Sequence, residues 1–227
     1  MIPVDKNRIL VERLCTHIEP LLDQIVLVGG CAVGFLITDE AQLLIRATDD
    51  VDLATEITTL PDYYKFTDQL KAFGFSEDTE TGMTCRWRKA ELCLDVMPLD
   101  EKVLGFSNSW YPQVFKTAIA IQLPNGSVLK HINAPTFIAT KIESFLNRGG
   151  DDFAHHDIED IINVINGRIE LIYEVAKADQ ELKDFLSDQL GAFMEISAFT
   201  DLIPGHIRPN ESRAEIVFER LRKITGD

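Results

Sequence analysis

The feature that most constrains the fold of this chain is a short apolar segment that stops at two glycines. Residues 25–28 read IVLV, which is typical of a buried strand, and Gly29 and Gly30 follow at once. From Cys31 the apolar residues recur at helical spacing, which predicts a helix that extends to Leu44. The glycines therefore lie between a strand and a helix. Glycine allows a ligand to approach the backbone closely, and the start of a helix offers unpaired N–H groups that suit a phosphate.

Three acidic residues lie in apolar surroundings further along the chain. Asp50 and Asp52 begin the segment DVDLATEI, which is predicted to be a second strand, and alternate residues of a strand project to the same face. Asp95 interrupts the apolar strand ELCLDVMP, which is predicted to form a hairpin with TCRWRK before it. Like charges placed together repel unless a cation neutralises them. Carboxylate oxygens are typical ligands of Mg²⁺, so the three acids are candidate ligands of this ion. The alternatives are turn and cap roles for Asp50 and Asp52, and an ion pair of Asp95 with Arg86 or Arg88.

The composition limits the classes of partner. The 227-residue chain is 45% hydrophobic and 26% charged, and it carries a net charge of −15. A broadly basic nucleic-acid surface is therefore not expected, although RWRK at 86–89 and the basic residues at 220–223 are candidate local patches. The start of the chain lacks a signal-peptide pattern, no apolar run is long enough to cross a membrane, and the four cysteines lack paired spacing. We expect a cytoplasmic protein with free, buried thiols and no membrane partner.

The order of the patterns predicts an α/β (α+β) protein with a mixed, twisted sheet flanked by helices, followed by an α-helical part. The predicted domains are 1–132 for the α/β part and 133–227 for a helical part packed on it. In the first domain, the pattern predicts a helix over 5–23 capped by Asp5, a helix from Pro61 to Gly74, and a β-rich or irregular connection over 99–134 with a turn at 124–126. In the second, it predicts a helix that is capped by Asn133, begins near Pro135 and runs to Arg148, and then a helix capped by Asp151 or Asp152. It also predicts helices near 170–178 and 180–203, a break at 204–210, and a capping box of Ser212 and Glu215 before a last helix.

The ordered set of glycines, arginine and acids resembles the nucleotidyltransferase superfamily of the DNA polymerase β type. Within it, the chain is most similar to the AbiEii-like and MenT-like families, which include the toxin or effector half of type IV toxin–antitoxin pairs. The resemblance is carried by LVGGCAVGFL and RATDDVDLAT, and then by KIESFLNRGGDDFAHHDIEDI on later helices. It covers roughly residues 25–165 of the chain.

The resemblance implies a Mg²⁺-dependent transfer of a nucleotide from an NTP, such as ATP, to an acceptor hydroxyl. The acceptor would be a tRNA, a protein or a small molecule, and a toxin–antitoxin effector would also have a cognate antitoxin as partner. Two Mg²⁺ ions would be held by the catalytic residues Asp50, Asp52 and Asp95. The implied nucleotide-binding residues are Gly29, Gly30, Arg46, Thr48 and Lys141, and the implied supporting residues are Arg148, Asp157 and Asp160.

The sequence is also compatible with two other functions, and with purely structural roles for Lys141 and Arg148. The same fold could be a nucleotide-binding or regulatory module that has lost catalysis. The tract His155-His156-Asp157, with His17 or His131 upstream, is also compatible with a metal-dependent phosphohydrolase of the HD type. Lys141 could be a solvated helix residue, and Arg148 could form an interhelical salt bridge with Asp157 or Asp160.

Overall fold

The computed structural model describes residues 5–39, 45–207 and 211–226. Contacts between residues divide these into two units. The sheet unit comprises 5–34 and 46–132, and the helical unit comprises 35–39, residue 45 and everything described from 133 onward. None of the helices in the described ranges is long and apolar enough to cross a membrane.

The apolar segment before the two glycines becomes a strand near the middle of a mixed sheet. Among the described residues the sheet has seven strands in the order β3-β4-β5-β2-β1-β7-β6. β2 pairs in parallel with β5 and antiparallel with β1, and the predicted hairpin is the antiparallel pair β4 and β5. The strands are β1 Ile25–Val28, β2 Val51–Thr55, β3 Ser76–Glu77, β4 Arg86–Lys89, β5 Leu92–Pro98, β6 Ile119–Gln122 and β7 Val128–His131. This mixed α/β architecture, with helices flanking the sheet, confirms the predicted fold class.

The helices of the sheet unit follow the predictions in part. Asp5 caps the first helix, and the turn at 124–126 connects β6 to β7 as predicted. The connection over 99–134 also holds two short helices that the sequence pattern missed, because one or two turns are too short to establish a helical period. The helix after the glycines ends at Leu36, so its predicted extent is wrong at 37–39, and the remainder, at 40–44, lies outside the described residues. The helices are α1 Lys6–His17, α2 Gly29–Leu36, α3 Leu60–Ala72, α4 Glu101–Leu104 and α5 Tyr111–Thr117, with a 3₁₀ turn at Glu19–Gln24.

The helical unit confirms that the chain after Gly150 is helical in its described part. Asn133 caps α6 by accepting a hydrogen bond from the Thr136 N–H, as predicted. The unit consists of α6 Ala134–Arg148, α7 His156–Gly167, α8 Leu171–Ala176, α9 Gln180–Met194, α10 Ser197–His206 and α11 Ala214–Thr225, with a 3₁₀ turn at Glu211–Arg213. Phenylalanines of α6, α9, α10 and the α6–α7 loop form one aromatic cluster: Phe145, Phe153, Phe193 and Phe199.

Four details of the helical unit were predicted wrongly. The single helix predicted over 180–203 is two helices, since α9 ends at Met194 and α10 begins at Ser197. The cap of α7 is His155, since the backbone turns once more between Asp152 and His155 before the helix starts. The predicted break at 204–210 begins too early, because α10 includes Pro204 and runs on to His206, and positions 208–210 of the break lie outside the described residues. The last helix has Arg213 at its N-cap, one residue after the predicted cap Ser212, and the Arg213 side chain makes no cap hydrogen bond.

Candidate active site

The sheet register brings two of the three predicted acids together. Asp52 of β2 lies opposite Asp95 of β5 in the parallel pair, and opposite Val28 at the end of β1. Asp50 directly precedes β2. The Asp95 side chain is buried, whereas the Asp50 side chain is 34% exposed. The three residues, which we call the aspartate cluster, therefore lie where strands from three different parts of the chain meet.

An arginine from the neighbouring strand joins two of these carboxylates. Arg86 Nε donates to Asp95 Oδ1 at 2.8 Å, and Arg86 Nη2 donates to Asp95 Oδ2 at 2.7 Å and to Asp50 Oδ2 at 2.6 Å. The forked guanidinium thus binds Asp95 with two nitrogens and reaches Asp50 with one of them. The hydrogen bonds and charge of Asp95 raise the pKa of Arg86, so the guanidinium stays charged. The ion pair of Asp95 with Arg86 that the sequence left open is present.

The glycine turn is shaped around the second acid. Gly29 has a φ of +61°, and a Cβ placed on it would lie 1.8 Å from Asp52 Oδ2. Any other residue would be strained in its backbone and would overlap the Asp52 carboxylate. Gly29 and Gly30 also form the first turn of α2, where backbone N–H groups suit an anion.

The segment before β2 is held by a buried asparagine of α1. Asn7 accepts a hydrogen bond from the Thr48 N–H at 3.0 Å and donates to the Arg46 carbonyl at 2.9 Å. The Thr48 hydroxyl donates to the Asp50 carbonyl at 3.1 Å and lies 3.0 Å from Cys31 Sγ. Thr48 therefore fixes the backbone that presents Asp50. The sequence did not reveal that Asn7 holds this segment, because Asn7 is 41 residues away from Thr48.

The cysteine beside this segment is a structural thiol. All four cysteines are free and buried, as predicted. Burial raises the pKa of Cys31 to about 12, and its Sγ donates to the Asp50 carbonyl. A neutral thiol is a poor nucleophile and a poor metal ligand, so Cys31 does not extend the aspartate cluster.

The four predicted residues of the later helices form a second charged group, in the helical unit. Lys141 of α6 pairs with Asp157 at 2.9 Å and with Asp160 at 2.7 Å, and Arg148 reaches Asp157 at 3.1 Å. Only 8% of the Lys141 side chain is exposed, so the alternative of a solvated lysine is wrong and the alternative of an interhelical salt bridge is present. Burial alone would lower the pKa of Lys141, but the charges of Asp160 and Asp157 outweigh it and raise the pKa. We call these four residues the helical cluster.

Three potential metal ligands lie at the start of α7. The ligand atoms of His155, His156 and Asp157 are all within 4.8 Å of one another. In the described part of the chain, the carboxylate oxygens of the aspartate cluster do not come together within this distance. However, both Asp157 oxygens already accept hydrogen bonds from Lys141 or Arg148. Two positive side chains at the same carboxylate oppose the binding of a cation there.

The candidate basic patches are used within the protein. On β4, Arg88 pairs with the buried Asp78 at 2.6 Å, and Lys89 donates to the Phe73 carbonyl at 2.6 Å. Near the C-terminus, Arg220 donates to carbonyls at the end of α7, and Lys223 pairs with Glu219 on the same helix. Five of the six basic residues in these segments thus bond within the protein, and the exposed Arg222 alone does not make the row of cations that a phosphate backbone requires.

The aspartate cluster has the donor chemistry of a divalent metal site. Asp50, Asp52 and Asp95 offer hard carboxylate oxygens of the kind that bind Mg²⁺. Gly29 leaves room for the Asp52 carboxylate beside the turn, and the exposure of Asp50 gives access from solvent. The residues present therefore fit such an ion by chemistry, although Arg86 on Asp50 and Asp95 opposes a second cation there, as Lys141 and Arg148 do at Asp157.

Comparison with solved structures identifies the fold. The chain is similar to an antigenic nucleotidyltransferase-like protein from Paracoccidioides brasiliensis, with 22% sequence identity and a TM-score of 0.51, over 87% of this chain and 93% of that chain. It also matches the antibiotic-resistance factor ANT(2'')-Ia, with 10% identity and a TM-score of 0.48, over 83% of this chain and 93% of that chain. No protein-family model matches the chain, and no curated protein matches it at a significant level. The first likeness shows a nucleotidyltransferase-like fold, whereas the AbiEii-like or MenT-like affiliation stays a prediction.

Proposed function

We propose that the protein is a Mg²⁺-dependent nucleotidyltransferase that moves a nucleotide from an NTP to an acceptor hydroxyl. The observation that carries the proposal is the aspartate cluster beside the glycine turn. The parallel register places Asp52 opposite Asp95. At position 29, glycine is the residue type that fits beside the Asp52 carboxylate, because a Cβ there would overlap it. Fold maintenance alone does not call for three acids at the meeting of strands, since like charges repel.

Each part of the site has a role in this reaction. Asp50, Asp52 and Asp95 would hold two Mg²⁺ ions, which when bound would neutralise the charge that develops on the attacking and leaving oxygens. Backbone N–H groups at Gly29 and Gly30 would bind the triphosphate at the start of α2. Asp95 could also accept the proton of the acceptor hydroxyl. Thr48 would act by fixing the backbone at Asp50.

The remaining predicted contacts stay predictions. Direct contacts of Arg46 and Lys141 with the nucleotide, and the nature of the acceptor, are inferred from the resemblance alone. The same holds for a toxin–antitoxin role. Lys141, with Asp157 and Asp160 around it, has a structural role in joining α6 to α7 whether or not it also contacts a phosphate.

A second candidate function is a nucleotide-binding module without catalysis. The observation that favours it is Arg86, which neutralises Asp50 and Asp95 through three hydrogen bonds. In such a protein, the glycine turn would still bind phosphate, but no transfer would follow. The two functions differ in whether label moves from the nucleotide to an acceptor.

The test is label transfer by the purified protein. Each NTP, radiolabelled on the α-phosphate, is incubated with Mg²⁺ and with total RNA, total protein or a panel of small hydroxyl compounds. We expect Mg²⁺-dependent label on one acceptor class and its loss in Asp50→Asn. The matched control is Asp49→Asn, an exposed neighbouring acid that should retain transfer.

Three results would count against parts of this proposal. Transfer at the wild-type level in Asp50→Asn would remove Asp50 from the mechanism. Metal-dependent NTP binding without transfer to any acceptor class would favour the binding module. Release of phosphate or nucleoside that depends on His155 or His156 would instead support the phosphohydrolase.

A further inference from the structure

A positively charged side chain already lies inside the aspartate cluster. We infer that Arg86 is the resident counter-cation of this cluster, and that a divalent metal ion binds only when the guanidinium leaves Asp50 and Asp95. The inference rests on the proposed function in one respect, since it takes the aspartate cluster as the metal site.

The metal and the guanidinium compete for the same oxygens. Arg86 binds Asp50 Oδ2 and both oxygens of Asp95 at 2.6–2.8 Å. Mg²⁺ bonds to carboxylate oxygens at about 2.0–2.1 Å, so an ion on these oxygens would lie within a few ångströms of the guanidinium nitrogens. Two cations at that distance repel strongly in a partly buried site. Occupancy by one therefore excludes the other.

The position of Arg86 allows the side chain to move while the strand stays in place. Its backbone N–H donates to the Met83 carbonyl, and its own carbonyl accepts from the Asp78 N–H. At the other end, the guanidinium reaches Asp50, whose side chain is 34% exposed. The Arg86 side chain itself is 14% exposed, so release of the guanidinium needs rotation of this side chain out of the cluster but no change in the pairing of β4 with β5.

The exchange would make occupancy of the site depend on metal concentration. When the metal is scarce, Arg86 keeps the buried Asp95 neutralised and hydrogen-bonded. When it is abundant, the ion replaces the guanidinium on the same carboxylates. The wild-type protein should therefore bind metal more weakly than a variant that lacks this arginine.

The first experiment measures metal affinity in the wild type and in Arg86→Gln. Isothermal titration calorimetry with MnCl₂, in the absence of nucleotide, should show binding that is at least about tenfold tighter in Arg86→Gln, because the competing charge is gone. The matched control is Arg88→Gln on the same strand, whose guanidinium pairs with Asp78 instead. The control should retain wild-type affinity. Equal or weaker binding in Arg86→Gln than in the wild type would overturn the inference.

A second experiment keeps the wild-type chain, in case Arg86→Gln does not fold. The Arg86 Nε–H resonance is identified by its disappearance in Arg86→Lys, which keeps the positive charge. During a Mg²⁺ titration, this proton should lose its protection from exchange with water in step with metal binding. A proton that stays protected at metal saturation would show that the guanidinium has not left.

The label-transfer assay on the same samples separates this inference from the proposed function. Tighter Mn²⁺ binding in Arg86→Gln with no transfer by any sample would support the counter-cation and contradict the transferase. Transfer by the wild type but not by Asp50→Asn, with unchanged metal affinity in Arg86→Gln, would support the transferase and contradict the counter-cation.

Discussion

Both charged clusters of this chain join carboxylates to basic side chains, but they differ in how deeply the carboxylates are buried. In the helical cluster, Asp157 is fully buried and meets both Lys141 and Arg148. In the aspartate cluster, one guanidinium is divided between the buried Asp95 and the partly exposed Asp50. A buried, multiply bridged pair is held in place by the cost of leaving either charge unpaired. A guanidinium that bonds to a partly exposed carboxylate can be replaced there by another cation. A site that binds a metal ion must allow this exchange.

The largest effect should come from breaking the helical cluster. Lys141→Met leaves two buried carboxylates without their ammonium group, and we expect it to lower the free energy of unfolding by about 3–5 kcal/mol. Urea denaturation measures the change, with Lys130→Met, at an exposed position on β7, as the control with an unchanged midpoint. A Lys141→Met protein as stable as the wild type would show that the cluster does not hold α6 against α7.

A smaller loss is expected when the aspartate cluster loses its arginine. Arg86→Gln should lower the free energy of unfolding by about 1–3 kcal/mol without metal, since Asp50 remains partly hydrated. Saturating Mg²⁺ should recover most of this loss, because a ligand that binds only the folded state stabilises it. A loss of stability as large as that in Lys141→Met, with no recovery on adding Mg²⁺, would show that Mg²⁺ does not replace Arg86. The two clusters would then not differ in whether their cation can exchange.

The glycine turn allows a matched pair of substitutions. Gly29 and Gly126 both have a positive φ, but a Cβ on Gly126 meets nothing within 4 Å, whereas a Cβ on Gly29 overlaps the Asp52 carboxylate. Gly126→Ala should cost about 1 kcal/mol of backbone strain, and Gly29→Ala about 1 kcal/mol more. Only Gly29→Ala should also weaken Mn²⁺ binding. Equal metal affinity in the two variants would mean that the turn does not shape the metal site.

The smallest predicted effect concerns pH and the helical cluster. Burial by itself would raise the pKa of Asp157, but the charges of Lys141 and Arg148 outweigh it, so the pKa lies below its ordinary value of 3.8. A depressed carboxyl pKa stabilises the fold above the ordinary value, and this stabilisation is lost as the pH falls through the lowered pKa. Below about pH 4, the wild type should therefore lose stability more steeply than Asp157→Asn. Parallel curves from urea denaturation at each pH would contradict this.

The sequence predicted what depends on local pattern. The order of strand, glycine turn and helix, the hairpin that carries Asp95, and the Asn133 cap all follow from apolar periodicity and turn chemistry over a few residues. Contacts over long separations were missed. Asn7 reaches Thr48 across 41 residues, and nothing in its own helix distinguishes it from a surface residue. The hairpin register did make Arg86 a candidate partner of Asp95, but its reach to Asp50 depends on how β2 and β4 both pair with β5.

The most direct test of the aspartate cluster is the position of a bound metal. Crystals of the wild-type protein grown with Mn²⁺ and a non-hydrolysable NTP analogue would locate the metal by anomalous scattering. We predict Mn²⁺ bound to oxygens of Asp50, Asp52 and Asp95, with the Arg86 guanidinium withdrawn from Asp50 and Asp95 and the triphosphate at the turn of Gly29 and Gly30. Mn²⁺ at His155 and His156, or an analogue bound with Arg86 still on both carboxylates, would contradict the account.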